Sequence, residues 1–497
     1  MKKLLSHENF HKNYFKDRFV ESYEKGIHDV MRGAYLMFSN KNEIIKKIFN
    51  DVDEQIKYNL KHTVVNEELC AHHLRIVKPL LILISILLLV GFTDNILDRG
   101  LLFLFDGAYF LWGVFFLSMV IFRGYPLLLE HSERILKLFV VFLSTWFGWM
   151  FLRRSIDIQF LNNLEAIIAD IPLLNRILFI AYSPSALFGI LQFSIPMLTV
   201  FLYRQRRNGL IGVSLVFVYE AILILLTRMS NMYEYAYIPI ITMLVSCTSI
   251  MLYMIIKNYM NIKPSRAVCS VIIGNVLLVM LFCGLQWENI TTNVRSFINP
   301  STKAAKATAW DDSYNNVLIR ELLSRARVVG KVDLTEDELL NYLTSQWYYE
   351  DGEGIWNEEA HFTLEKHVSY KMQFTDDITL EDILPQHYLN NYRIAFWILK
   401  YGWFVASILL TLVLATQVAM IYISFKIHNR LGKIVSIAGS ITLAVQNLFY
   451  ILGNFGYQFG SFGNFPFVSE GWMSITGTML IAGLVLSAYR FDTVIKE

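Results

Sequence analysis

The chain has 497 residues, of which 55% are hydrophobic and only 17% are charged, and its formal net charge is +2. About a quarter of the residues in a soluble protein are charged, so this composition excludes an ordinary soluble protein and indicates a membrane protein. The near-neutral total says little about partners, because the charges lie in separate parts of the chain, and we expect no nucleic-acid partner. The four cysteines form no CxxC pair, so we expect neither a metal site nor a cofactor.

The first 77 residues carry mixed charges, and apolar side chains recur at helical spacing in the run 15–37. This pattern predicts a solvated cytoplasmic helical segment lying near the membrane lipids. The alternative is a helix that docks a partner. No apolar core of a signal peptide is present in this part, so the first span is expected to act as the insertion signal.

Ten apolar runs reach the roughly 20 residues that are needed to cross about 30 Å of hydrocarbon. They predict an all-α polytopic membrane protein, with seven spans in 78–286, three in 392–490 and a short tail at 491–497. The eighth run is overlong, so either it is tilted or its first turns stand above the membrane. The predicted spans are 79–97, 100–122, 135–152, 184–203, 209–227, 236–257, 267–286, 393–424, 433–454 and 467–489.

Basic residues predict the orientation of these spans. They concentrate in the connectors after even-numbered spans, at 123–137, 204–207, 257–266 and 426–433. By the positive-inside rule these connectors face the cytoplasm, and ten spans then place both termini there as well. Arg153 and Arg154, in an odd-numbered connector, are the main exception.

The stretch from Trp287 to Asn391, called the large loop below, is the longest polar stretch between predicted spans. It has 105 residues with 18 acidic and 9 basic side chains, and the predicted orientation places it outside the cell. Outside the first 75 residues, no other region has room for a folded, water-facing structure. We therefore expect the function to lie in the large loop and at the membrane surface beneath it.

Four polar side chains fall inside predicted spans, where each needs a partner or a function. Asn275 is expected to form an interhelical hydrogen bond. Glu220 is either half of a structural ion pair or a site residue, because an unpaired carboxylate at that depth costs several kcal/mol. Gln446 and Asn447 are adjacent in the ninth span.

The stretch 446–490 carries the most specific pattern in the chain. After Gln446 and Asn447 come a turn rich in glycine and phenylalanine, then Pro466, and then a last apolar helix that ends at Arg490. Glycines and a proline at the entrance to a span indicate irregular backbone, which a membrane tolerates only against protein or a watery cavity. The turn is therefore predicted to line a cavity at the outer surface.

At these residues the sequence resembles the SEDS family of bacterial shape, elongation, division and sporulation proteins. The family pattern has Q, then N, then glycine, a short loop, P-F-[IV]-S-x-G and a helix that ends G-L-x-L-S-x-x-R. Ten residues match it: Gln446, Gly456, Pro466, Phe467, Ser469, Gly471, Ser474, Gly483, Ser487 and Arg490. The predicted spans, internal termini and large loop also agree with the family.

Three earlier segments are similar to other SEDS motifs. Residues 182–185, Y-S-P-S, look like the family's Q-P-S-E at the start of the fourth span. Residues 297–300, F-I-N-P, look like the F-L-[DN]-P that opens its large external loop. Residues 384–386, L-P-Q, look like the L-P-E that closes it.

The resemblance implies a protein of the bacterial cytoplasmic membrane that acts in peptidoglycan synthesis. SEDS proteins polymerise lipid II, a lipid-linked peptidoglycan precursor, at the outer face and pair with a class B penicillin-binding protein. The reaction needs a base for the acceptor hydroxyl and positive groups for the leaving diphosphate. The family's critical aspartate follows L-P-E by a few residues. Asn390 and Asn391 occupy that position here, and an asparagine cannot act as a carboxylate base.

Three functions remain open. One is a glycosyltransferase with a relocated carboxylate, for which Asp382 is the first candidate, followed by Glu381 and the pair 376–377; the alternative for all four is a solvated acidic turn. Another is an inactive SEDS-like scaffold that recruits a cell-wall synthase. The third is a transporter or flippase of lipid-linked sugars, which a path lined by Glu220 would favour.

Substrate binding is predicted at polar residues inside the spans and at motif residues around the expected outer cavity. Arginines suit phosphate oxygens, so Arg320, Arg325 and Arg327 are further candidates, with a surface helix of paired charges over 317–329 as their alternative role. The predicted substrate-binding residues are Arg295, Ser183, Ser185, Glu220, Gln446, Asn447, Pro466 and Ser469.

Overall fold

The computed structural model describes nine parts of the chain, and predictions that fall elsewhere lie outside it. The chain divides into a unit of 1–75 with 493–497 and a unit of 76–492. The predicted N-terminal helical segment lies almost entirely outside the described residues, as does the C-terminal tail from Thr493 onward. The described residues are 67–99, 108–155, 184–229, 233–298, 310–339, 379–384, 391–459, 465–468 and 472–492.

The regular structure of these residues is helical, without a strand, which confirms the predicted all-α class. A 3₁₀ turn, Gln205–Asn208, joins α3 to α4. The helices are α1 Glu67–Arg99, α2 Ala108–Ser155, α3 Pro184–Arg204, α4 Gly209–Met229, α5 Tyr233–Ile256, α6 Pro264–Ile298, α7 Trp310–Ser324, α8 Leu380–Ile383, α9 Arg393–Tyr401, α10 Trp403–Lys426, α11 Arg430–Asn454 and α12 Trp472–Arg490.

Within the described parts, seven helical stretches are long and apolar enough to cross a membrane. The stretch Ser194–Leu225 covers the second half of α3 and most of α4, which fold back on each other so that Ser194 approaches Tyr219. Helix α12 contributes a shorter apolar stretch, Ile475–Arg490. These lengths support a membrane-embedded protein, while the count of ten spans stays a prediction.

Helix α2 differs from the prediction of a second and a third span with a connector between them. It runs unbroken through 48 residues, with Pro126 inside it. At 1.5 Å per residue it is about 72 Å long, more than twice the thickness of the hydrocarbon. The basic residues at 123–137 lie among leucines and glutamates, which favour helix. Their positive charge predicts the side of the membrane on which these residues lie, but it does not predict a break in the helix.

Helix α11 is the central helix of the bundle and packs against α3, α5, α10 and α12. Small residues make these contacts close, as is typical of helices packed inside a membrane. A Cβ added at Gly439 would lie 2.7 Å from Ile481 Cγ2, and one added at Gly483 would lie 2.6 Å from Val120 Cγ1. Helix α12 is therefore held between α11 and α2.

The two ends of the bundle differ in what they carry. At one end, called the basic end, the Asn261 amide donates to the Arg206 carbonyl and the Arg430 guanidinium lies over the Tyr259 ring. Three of the connectors that were predicted to be cytoplasmic therefore lie together. At the other end, called the loop end, α6 leads into the large loop and α9 leads out of it.

The overlong eighth run is broken at Gly402 into α9 and α10. Gly402 has φ +91°, in the region that favours glycine. The amides of Trp403 and Phe404 donate to the carbonyls of Arg327 and Val328, so this segment of the large loop packs against the backbone at the break. A Cβ at Gly402 would lie 2.6 Å from the Val328 oxygen.

Substituting alanine for Gly402 is expected to lower the free energy of unfolding by about 2 kcal/mol, because the left-handed backbone and the clash with Val328 are both unfavourable. The matched control is Gly284→Ala in α6, where a Cβ would meet nothing within 4 Å. Thermal unfolding of the purified protein measures both. Equal unfolding temperatures for the two variants would contradict the packing described here.

Candidate functional site

A network of buried polar groups joins the large loop to the loop end of the bundle. It links α7, the start of α9 and the turns that follow α11, through hydrogen bonds between residues far apart in sequence. We call it the loop-end network; its members are Asn316, Arg320, Tyr392, Arg393, Tyr450, Asn454, Gly456, Gln458 and Val468.

Asn454, the last residue of α11, is the centre of this network and is fully buried. Its Oδ1 accepts hydrogen bonds from the amides of Ile394 at 2.9 Å and Ala395 at 3.0 Å. Its Nδ2 donates to the carbonyls of Asn391 and Tyr450, both at 2.9 Å. The first amides of a helix have no partner within the helix, so Asn454 caps α9 from a different helix.

Asn316 and Gln458 connect α7 to the turn after α11 in both directions. The Gln458 amide donates to Asn316 Oδ1 at 2.8 Å, and Asn316 Nδ2 donates to the Gln458 carbonyl at 3.3 Å. The Tyr392 hydroxyl donates to Gln458 Oε1 at 2.6 Å. All three side chains are buried. Both α7 and the C-terminal end of the large loop are therefore bound to the same turn after α11.

Arg320 holds α7 to two chain segments at once. Its Nε donates to the Gly456 carbonyl at 2.7 Å and its Nη2 to the Phe297 carbonyl at 2.8 Å. Its Cζ lies 4.0 Å from the centre of the Tyr457 ring, a cation–π distance. Partial burial lowers the pKa of Arg320 from its usual value. Gly456, with φ +75°, allows this approach, because a Cβ there would lie 2.6 Å from Arg320 Cγ.

Arg393 is a fully buried arginine at the first position of α9. Its Nη1 donates to the Val468 carbonyl at 2.7 Å, and its backbone amide donates to the Tyr450 hydroxyl at 3.2 Å. The Tyr450 ring stacks on Phe465 with centroids 4.5 Å apart. A buried guanidinium is costly unless its donors are used, so Arg393 holds the 465–468 turn against α9 and α11.

Some of the predicted site residues lie at the loop-end network, and others lie away from it. Asn391 is connected to Asn454 through its backbone carbonyl, and Pro466 is buried in the turn that Arg393 holds. Gln446 and Asn447 are buried in α11, two turns below its end, and Asn447 Oδ1 has no hydrogen-bond partner in the described structure.

Glu220 was predicted to be either half of a structural ion pair or a substrate-binding residue, and it lies in the middle of α4. Only 1% of it is exposed, and it makes no ion pair with a described residue. It is therefore not a member of the loop-end network. Among the described residues, nothing supports its interpretation as half of an ion pair.

Several predicted residues have no described side-chain position. Ser183, Ser469 and Asn390 lie outside the described residues. Ser185 lies in the first turn of α3 and Asp382 in α8, but their side chains are not among those described. The role of Asp382 as a relocated carboxylate therefore stays a prediction.

Of the arginines considered for a diphosphate, two form the surface ion pairs of the alternative interpretation. Arg325 lies 2.5 Å from Glu338, and Arg327 lies 2.6 Å from Asp333. Helix α7 ends at Ser324, so the predicted helical run to 329 was too long. Arg295, near the end of α6, is exposed and makes no interaction with a described residue. It is the arginine of this set that is available to an anion.

Sequence reasoning missed most of the loop-end network. Asn454 was only the last residue of one predicted span, and Arg393 only the first residue of another. The signal for Arg393 was a charge at the edge of a membrane-length segment, which requires a partner. Within the described parts, no group of three or more metal-ligating side chains occurs.

Arg320→Met is expected to release α7 from the turn after α11, because two hydrogen bonds and a cation–π contact are lost. Together these contribute about 2 kcal/mol. Limited proteolysis of the large loop measures the release as faster cleavage. Arg327→Met, which removes only an exposed ion pair, is the control and is expected to change little. Equal cleavage rates for both variants would contradict the role of Arg320.

A scan against protein-family models and a search of curated proteins each found no match to this chain. The function is therefore argued from the contacts above and from the motif residues in the sequence.

Proposed function

We propose that the chain is a SEDS-like protein of bacterial peptidoglycan synthesis that binds a lipid-linked precursor at the loop end of its bundle. In this proposal it lies in the cytoplasmic membrane, with both termini inside the cell and the loop end outside, and works with a class B penicillin-binding protein. One observation carries the proposal. The loop-end network connects the segments that resemble the family's late motif and the borders of its large loop.

The loop end offers the chemistry that a lipid-linked diphosphate requires. The polyprenyl chain of such a precursor stays in the membrane, while its diphosphate lies at the interface and its sugars reach water. Arg295 is exposed at the end of α6, and Phe297, two residues later, is bound by Arg320. A guanidinium there suits phosphate oxygens. We assign Arg295 to the diphosphate and Arg393 to positioning the 465–468 turn.

The residues at the family's aspartate position favour binding over polymerisation. Asn391 has no carboxylate, and its backbone carbonyl is held by Asn454 Nδ2. Polymerisation would need a base from another position, for which Asp382 is the candidate. A transporter is less well supported, because Glu220 is enclosed in the bundle.

Full-length protein in nanodiscs, given lipid II, tests the proposal. We expect saturable binding without polymer, and about tenfold weaker binding for Arg295→Met, which corresponds to 1.4 kcal/mol. Arg327→Met, whose arginine is already paired, serves as the control. Polymer that is lost in Asp382→Ala would identify an enzyme instead. Absence of lipid II binding by the folded wild-type protein would overturn the proposal.

A further inference from the structure

Glu220 is a carboxyl group at the centre of an apolar helix. It lies about 16 Å from the start of α4 at Gly209 and about 14 Å from its end at Met229. Within the seven membrane-length stretches, the other acidic residue is Glu130, the last but one of its stretch and 3.4 Å from His131. Glu220 is therefore the carboxyl that lies deepest in the apolar part of the described bundle.

The groups around Glu220 are polar but uncharged. Tyr219 is the adjacent residue, Ser194 approaches Tyr219 from α3, and the Cys247 thiol approaches the carboxyl from α5. On the neighbouring helices, Ser246 is bound by Thr442, and Asn275 is bound to Thr248 and to the Val271 carbonyl. These side chains already form hydrogen bonds with one another or with backbone groups. The polar group beside the Glu220 carboxyl is therefore the Cys247 thiol, which is a weak donor.

Among the residues that the structure describes, no cation forms an ion pair with Glu220. Helix α5 contains no basic residue, and the basic side chains of α3, α4 and α6 lie in terminal turns, at Arg204, Arg228, Arg266 and Arg295. Helix α2, which also packs against α4, carries Arg123, Arg134 and Lys137, and none of these forms an ion pair with Glu220. Neither carboxyl oxygen has a hydrogen bond of ordinary geometry within the described structure. An ionised carboxylate in such a place costs roughly 3 kcal/mol or more, and the neutral acid avoids this cost.

We propose that Glu220 holds a proton at neutral pH, as a neutral carboxylic acid in the middle of the bundle, and that it is a site of covalent modification by a hydrophobic carbodiimide. The neutral acid fits the apolar surroundings of Glu220, because the Cys247 thiol is too weak a donor to balance an ionised carboxylate there. This inference concerns the middle of the membrane and is independent of precursor binding at the loop end.

The modification is an addition that needs no other reactant. The proton of the acid passes to one carbodiimide nitrogen, and the carboxyl oxygen bonds to the central carbon. The acyl group then moves to the nitrogen and gives a stable N-acylurea. Nothing leaves and nothing is oxidised or reduced, so the mass of the peptide increases by that of the reagent. A water-soluble carbodiimide does not enter the apolar core and is expected to leave Glu220 unmodified.

The experiment treats full-length protein in nanodiscs with dicyclohexylcarbodiimide and maps the adduct by peptide mass spectrometry. We expect the adduct on the peptide that contains Glu220 and its complete loss in Glu220→Gln, a neutral variant of the same shape. Preferential labelling of Glu130, or no adduct on Glu220, would overturn the assignment of the modification site.

The proton itself is measured by infrared spectroscopy of the wild-type protein, so the result does not depend on whether a variant folds. We expect a carbonyl stretch of a protonated carboxylic acid at neutral pH that shifts in heavy water. Cys247→Ala is expected to shift this band, because the thiol beside the acid is lost, whereas Cys269→Ala on α6 leaves it unchanged. Absence of the protonated-acid band would overturn the proposal.

Discussion

Asn454→Ala is expected to lower the free energy of unfolding by about 3 kcal/mol, because several buried groups lose their partners together. The amides of Ile394 and Ala395 lose their acceptor, and the carbonyl of Asn391 loses its donor. Hydrogen exchange measures this directly: the two amides at the start of α9 should exchange faster, while amides in the middle of α5 stay protected.

Two further variants separate the roles of the Asn454 side chain. Asn454→Asp keeps the acceptor for the α9 amides and loses the donations to the Asn391 and Tyr450 carbonyls, so exchange at Ile394 and Ala395 should stay closer to wild type than in the alanine variant. Asn261→Ala, at an exposed position of the basic end, is the control and should leave α9 unchanged. Unchanged exchange at Ile394 and Ala395 in Asn454→Ala would mean that Asn454 does not cap α9.

The second large effect is expected for Arg393→Ala, which leaves a cavity and an unpaired Val468 carbonyl. The expected loss is about 4 kcal/mol of unfolding free energy. Arg393→Lys keeps the charge without the planar fork and should recover only part of it. Thermal unfolding measures the loss, and exchange of the Val468 amide, which donates to Phe465, reports whether the turn opens.

Arg295 provides the matched comparison for Arg393. Arg295 is exposed, so Arg295→Ala should leave the unfolding temperature within about one degree while weakening lipid II binding. Arg393→Ala should lower both, because the turn that it positions is lost. If Arg393→Ala unfolds at the wild-type temperature, the buried arginine does not hold the 465–468 turn.

Much of the bundle is predictable from the sequence, because membrane-length apolar runs correspond to helices. The runs at 184–203, 209–227 and 236–257 are each within three residues of the helix that forms there. The unbroken α2 was missed, since positive charge predicts which side of the membrane a residue faces, whereas helix formers such as Leu and Glu decide whether the backbone turns.

The loop-end network is harder to predict, because its contacts connect residues far apart in the chain. The hydrogen bonds of Asn316 and Arg320 reach residues 142 and 136 positions away, and no local pattern reports such a pairing. The sequence did predict irregular backbone in the turn after α11, through its glycines and Pro466. Which groups of the large loop would bind that turn could be known only from the fold.

The side of the membrane on which the large loop lies tests the central claim most directly. In a variant without its native cysteines, Asp337→Cys places a thiol at an exposed position of the loop, and His428→Cys places one at the basic end. A membrane-impermeant maleimide added to intact cells should label Asp337→Cys at once and His428→Cys only after the membrane is opened. Labelling of His428→Cys in intact cells, with Asp337→Cys protected, would contradict an outward-facing site.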